Sequence, residues 1–173
     1  MTLWSSWYVR FALVLIAAAA LQMGIFAHLR VAGVAPDLLL ALAVAGGLVG
    51  GEWRGSVTGA LAGLTLDLLV YGRPFGLGML VFTLIGFLVG RYQASSVRRS
   101  SGGDALVAAL AAVVAVLAYD LGGRMFAGSP VLAGSLPVVA LVLAGWTALV
   151  AIPARWVMGW VWGSPERVSA WAR

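Results

Sequence analysis

Cysteine is absent from all 173 residues, which excludes disulfides, thiol chemistry and cysteine metal sites. Lysine is absent as well, so all eleven basic residues are arginine, which reads as a compositional bias of the genome and not as a nucleic-acid signature. The single histidine, His28, leaves no metal-binding cluster and only one place for a serine–histidine pair. No Walker loop and no HExxH motif occurs. Tyr119-Asp120 resembles the YD element of intramembrane aspartyl proteases, but no GxGD follows it, and Asp67 comes earlier, in TLD. A paired-carboxylate mechanism needs both acids in one site, so the chain is expected not to be an enzyme and to carry no metal or cofactor.

Charge is scarce too, at 10% of residues, where a soluble domain carries about 25%. In its place 62% of the residues are hydrophobic and the mean hydropathy is +1.02. A helix needs about 20 mostly apolar residues to cross a bilayer core about 30 Å thick. The length therefore fits one integral membrane domain, 1–173, with five or six spans and short loops. Its fold class is an all-α polytopic membrane protein. The formal net charge of +5 is a topology signal in such a chain, because the arginines sit at the ends of the apolar segments.

Six segments emerge, at approximately 7–27, 36–50, 55–71, 77–90, 105–126 and 138–162. The first competes with a cleaved signal peptide, but it is long for one and five further segments follow, so it is expected to be a retained span. Pro36-Asp37 opens the second, where a proline loses no hydrogen bond and an acid meets the positive end of the helix dipole. GGEWRG, 50–55, is expected to turn the chain into the third span, and GRPFG, 72–76, to close that span. RYQASSVRRSSGGD, 91–104, reads as the one long polar loop. Pro153 is expected to kink or interrupt the last helix.

With six spans, Arg10, Arg54, Arg91, Arg98, Arg99, Arg155, Arg167 and Arg173 share one side, and only Arg30, Arg73 and Arg124 fall on the other. The positive-inside rule then puts both termini in the cytoplasm. Most of the aromatic belt, including Trp7, Tyr8, Trp53, Trp156, Trp160 and Trp162, lies on that same face. Asp37, Asp67 and Asp120 gather toward the opposite, outer half with His28, Arg30, Arg73 and Arg124. Arg73 and Arg124 are the natural partners for Asp67 and Asp120. Acids at such depth default to functional candidates, although a buried acid can equally be a hydrogen-bonded packing group that bridges helices. Titrating acids would suit an ion-coupled transporter, but no inverted repeat or pair of broken helices stands out.

Gly55, Gly59 and Gly63 recur every four residues, and Asp67 continues the row. In lipid, small residues at this spacing let another helix approach closely. The face is therefore a candidate helix-packing or partner-docking surface, and Asp67 is expected to face protein.

These features resemble a known family. Gln22, Pro36-Asp37-Leu38-Leu39-Leu40, the Gly59/Gly63…Asp67-Leu68-Leu69 helix and the span from Gly76 to Gly86 and Gly90 together look like the rod shape-determining protein MreD. The match covers the first half of the chain; the second agrees in length and hydropathy. The resemblance implies a noncatalytic six-span scaffold of the bacterial cytoplasmic membrane that supports lateral peptidoglycan synthesis and cell shape. Its implied partners are a single-span MreC-like protein, a RodA-type glycosyltransferase, a class B penicillin-binding transpeptidase and the lipid bilayer, with no nucleic acid. The family is also similar in fold to the S components of energy-coupling-factor transporters, which makes a vitamin-binding subunit the alternative. In that alternative Ala20xxxGly24 would contact a coupling protein.

Overall fold

The computed structural model describes residues 6–26, 28–29, 33–70, 74–95, 101–127 and 135–163, and their regular structure is helical. Helix α1, Trp7–Leu21, runs into a π-helical turn, Gln22–Phe26. Helix α2 covers Leu38–Leu69, α3 Leu77–Ser95, α4 Ser101–Ala127 and α5 Leu136–Trp162. Five helices among the described residues are thus long and apolar enough to cross a membrane.

The expected second and third spans form the single element α2, which is broken at one residue. Gly51 has φ 74° and ψ −167°, a backbone conformation open almost only to glycine. The chain reverses there. A straight helix would hold Gly47 and Gly55 about 12 Å apart, yet a Cβ on Gly55 would run into the Gly47 Cα, and one on Gly46 into the Thr58 side chain. The expected six-residue turn at 50–55 therefore shrinks to Gly51, and Glu52, Trp53 and Arg54 already belong to the returning limb.

The outgoing limb is the centre of the bundle. Leu39 to Leu48 are all buried, as expected of a helix segment that is apolar on every side. The returning limb packs along α3, the most extensive helix pair in the protein, and α4 pairs with α5. From Ala144 onward the buried residues of α5, namely Ala144, Thr147, Ala151, Ala154, Met158 and Val161, alternate steps of three and four, a coiled-coil seam. The facing helix α4 is rich in buried alanine, including Ala108, Ala112 and Ala115, so the two axes can come close.

Two further expectations change. Helix α3 continues to Ser95 and α4 begins at Ser101, so most of the expected 91–104 loop is helical. Asp104, read as a loop residue, sits in the first turn of α4 and forms an ion pair with Arg155 of α5. Helix α5 passes Pro153 without interruption. Neighbouring helices and local adjustment re-satisfy the backbone groups that a proline frees in a membrane helix.

Candidate functional site

The glycine row of α2 meets a second row on α3 that the sequence pattern shows only once the two are set side by side. A side chain at Gly63 would collide with the Gly78 carbonyl, one at Gly59 with the Phe82 carbonyl, and one at Gly55 with the Gly86 carbonyl. One at Gly90 would collide with the backbone of Gly51 and Glu52. Each step of four down the returning limb is matched by a step of four up α3. The helices are antiparallel and in backbone contact over three turns. Of the two roles open to Gly55, Gly59 and Gly63, internal packing occupies the face: α3 lies where a docking partner helix would have to lie.

One more step of four beyond Gly63 reaches Asp67, and by the same register it falls opposite the start of α3. Its Oδ2 accepts hydrogen bonds from the Gly76 and Met79 N–H groups, and its Oδ1 accepts one from Gly78, all at 3.0 Å. These are among the N–H groups a helix start leaves without an internal partner. Gly76 has φ 91°, which the turn into α3 needs. Gly78 has no room for a side chain, because a Cβ there would strike the Asp67 carboxylate. The ladder and the acid are therefore one device: glycine brings the backbones together, and Asp67 caps the partner helix at the end of the contact. Arg73, the expected partner of Asp67, lies outside the described residues.

The family model for the rod shape-determining protein MreD matches residues 2–162, nearly the whole chain. The chain belongs to this family. The match extends the resemblance carried by Gln22, 36–40 and 59–90 through the second half as well. No curated protein and no solved structure matches it. MreD-family membership supports a part in rod-shape determination and in the membrane machinery behind it, and nothing comparable speaks for the transporter alternative.

The other expected acids of this MreD-family chain do not converge on Asp67. Asp120 is buried, and its carboxylate takes the Arg124 Nε at 2.9 Å, one turn along α4. Asp37 is the N-cap of α2, and its Oδ1 accepts the Leu40 N–H at 3.0 Å. His28 is exposed, its Nδ1 3.1 Å from the Gly24 carbonyl, and Arg30 lies outside the described residues. Each acid serves a different helix, and the expected single cluster resolves into separate anchors.

Gln22, noted in the sequence only as a mark of the family, does more than expected. It sits at the start of the π-helical turn and clasps the segment entering α2. Its Nε2 donates to the Pro36 carbonyl and its Oε1 accepts the Leu38 N–H, both at 2.9 Å. This two-way bond ties the C-terminal end of α1 to the core helix. The signal available in the sequence was a lone amide late in an apolar span, followed by a Pro-Asp helix start whose first N–H groups need acceptors.

Behind the clasp lies a cavity of about 350 Å³ to which every helix contributes. Gln22, Asp37 and Tyr119 supply its polar groups, over an apolar floor that includes Leu40, Phe82 and Val116. Of the expected acids, Asp37 alone lines it; Asp67 and Asp120 do not. Among the described residues no group of three potential metal ligands occurs.

At the opposite end, aromatic rings and arginines hold α1 to α5. Trp7 stacks on Trp162 at 4.8 Å between centroids, and Phe11 lies tilted against the same ring at 5.8 Å. The Arg10 guanidinium lies 5.1 Å over Trp160 and donates to its carbonyl at 3.3 Å, while Arg54, just past the α2 reversal, covers Trp162 at 5.2 Å.

Proposed function

We propose that the protein is a noncatalytic scaffold of the rod/elongation complex in the bacterial cytoplasmic membrane, crossing it six times with both termini in the cytoplasm. Its partners are a single-span MreC-like protein, a RodA-type glycosyltransferase and a class B transpeptidase, which together build lateral peptidoglycan.

The observation that carries this reading is the way the acids of the apolar helices are used. Asp67 holds three backbone N–H groups of α3, Asp120 holds Arg124, and Asp104 holds Arg155. A titrating transport or acid–base site needs a carboxylate presented to a substrate or an ion path. Here Asp67 and Asp104 each join two helices, and Asp120 is neutralised within its own helix α4, which suits a rigid platform. Six crossings are favoured over five because the chain reverses at Gly51, beside Trp53 and Arg54, an aromatic–arginine pair suited to a membrane interface.

Depletion in a rod-shaped host should round the cells, and wild-type chain should restore the rods. Affinity purification from native membranes should bring down the glycosyltransferase and transpeptidase. Rods that persist after depletion, or an eluate containing only transport ATPases, would overturn the scaffold.

The absence of cysteine makes the topology directly testable. Trp53→Cys should react with a membrane-impermeant maleimide only in inverted vesicles, and Phe75→Cys only in intact spheroplasts. Protection of Trp53→Cys from both sides would mean that α2 crosses once as a single element.

A further inference from the structure

Helices α3 and α4 meet at one end and part at the other. At the Leu77 end the Leu77 side chain lies against Gly122, and the Phe82 and Tyr119 rings meet edge to face at 6.1 Å. Toward the segment that connects them, the helices leave an open cleft of about 240 Å³. Ile85, Leu88 and Tyr92 form one wall, and Leu106, Leu110 and Val114 the other. Leu88, Leu106 and Leu110 are among the exposed large apolar residues, so the cleft opens outward rather than into the core.

Walls of this kind do not hold water. Within a bilayer the cleft is filled either by a lipid chain or by side chains of another helix. The charge at its mouth favours the first.

The mouth supplies the charge preference. Arg91 stands one turn beyond Leu88 on the same face of α3 and pairs with no acid among the described residues. Tyr92 stands beside it, a residue type that favours the headgroup level. Across the mouth the only acid of the first turn of α4, Asp104, is taken by Arg155. An apolar slot below a net positive rim has the charge and polarity of an anionic phospholipid.

We propose that the α3–α4 cleft seats one acyl chain of an anionic phospholipid whose phosphate lies beside Arg91. The site is independent of which way the protein faces in the membrane and of its cell-wall role.

The test is native mass spectrometry of the full chain released from nanodiscs containing equal phosphatidylglycerol and phosphatidylcholine. The wild type should retain phosphatidylglycerol about fivefold over phosphatidylcholine, the effect of one arginine at a charged surface. Arg91→Gln should remove that preference while lipid is still bound. Leu110→Trp and, from the opposite wall, Leu88→Trp should each lower the total retained lipid, with unchanged helix content by circular dichroism as the folding control.

Equal retention by the wild type and both tryptophan variants, with helix content intact, overturns the proposal. So does displacement of the lipid by glycerol 3-phosphate, which has no acyl chain and would reveal a phosphate site alone. A dimer that dissociates in Leu110→Trp would identify the cleft as a protein interface, with the same consequence.

Discussion

The α2–α3 pair and the docking of α1 are two opposite solutions to joining helices in lipid. Along α2–α3, Gly55, Gly59 and Gly63 bring backbone against backbone, and Asp67 closes the end of the contact with three N–H bonds. Along α1 the described buried residues are only Phe11, Leu15 and Ala18, a seam one residue wide. Leu13, Ile16 and Met23 on the same helix face outward. What holds α1 is placed at its ends: the Gln22 clasp at the C-terminal end and the Arg10–tryptophan contacts at the N-terminal end. Since lipid tails are as apolar as the side chains, greasy surface alone does not drive helices together. Close packing along the whole contact is one remedy, and polar fasteners at the two ends are the other. The first should give a rigid pair, the second an arm that can be released without unfolding the rest.

The comparison breaks most visibly at Gly59. A leucine there meets the Phe82 carbonyl, a backbone atom that cannot swing away. Overpacking against flexible side chains costs about 1–3 kcal/mol, and against backbone the helices must separate altogether. Gly59→Leu should abolish accumulation of folded protein in membranes, measured by size exclusion in mild detergent. Folded Gly59→Leu with normal yield would mean that the close approach to α3 is dispensable.

Asp67 comes next. Asp67→Leu leaves three N–H groups at the start of α3 without an acceptor, for a loss on the order of 3 kcal/mol or more. Asp67→Asn keeps one acceptor oxygen but turns an NH₂ toward an N–H donor, and should lose about half as much. Thermal unfolding in detergent should therefore rank wild type, Asn, then Leu. Equal loss of rod-shape rescue by Asn and Leu, at normal protein level and stability, would point instead to charge or proton chemistry at this position.

How much of this was legible beforehand follows from the physics of each feature. The apolar segments and the glycine spacing are local patterns, and they point to an all-helical chain and to a close neighbour for the glycine row, but not to the joining of 36–50 and 55–71 in the single element α2. The role of Asp67 was not local, because it depends on the register of α3, and Gly86 and Gly90 had been noted without being aligned against Gly55 and Gly51. Setting the two four-residue rows antiparallel across the short 70–76 connection would have placed Asp67 at the α3 start. Charge arithmetic alone anticipates the Asp120–Arg124 pair, but it does not anticipate backbone N–H groups as partners for Asp67. Asp104 was misplaced for a related reason: polar composition suggested a loop, while its ion pair with Arg155 lets α4 begin earlier.

On the α1 side the effects should be smaller and confined to that helix. Gln22→Leu removes two hydrogen bonds, worth about 1 kcal/mol each. Amide exchange over 7–26 should accelerate by roughly thirtyfold, the equivalent of about 2 kcal/mol, with α2 and α3 unchanged.

The smallest effect sharpens the comparison furthest. Arg10→Gln removes a cation–π contact, worth about 0.5–1 kcal/mol at an exposed site, together with a long, exposed hydrogen bond to the Trp160 carbonyl, and its direct effect on α1 exchange should be only a few-fold. Arg10 and Gln22 are twelve residues apart, about 18 Å along the helix, and they hold different partners, Trp160 and the segment entering α2. Changes at that distance add when both fasteners hold one rigid arm. The double variant should thus open α1 by the product of the two single accelerations, while the amides of Gly55–Gly63 and Gly78–Gly90 keep their protection. If those glycine-row amides loosen in step with α1, the arm and the backbone-packed pair are a single cooperative unit, and the contrast between the two modes of joining is one of contact type and not of stability.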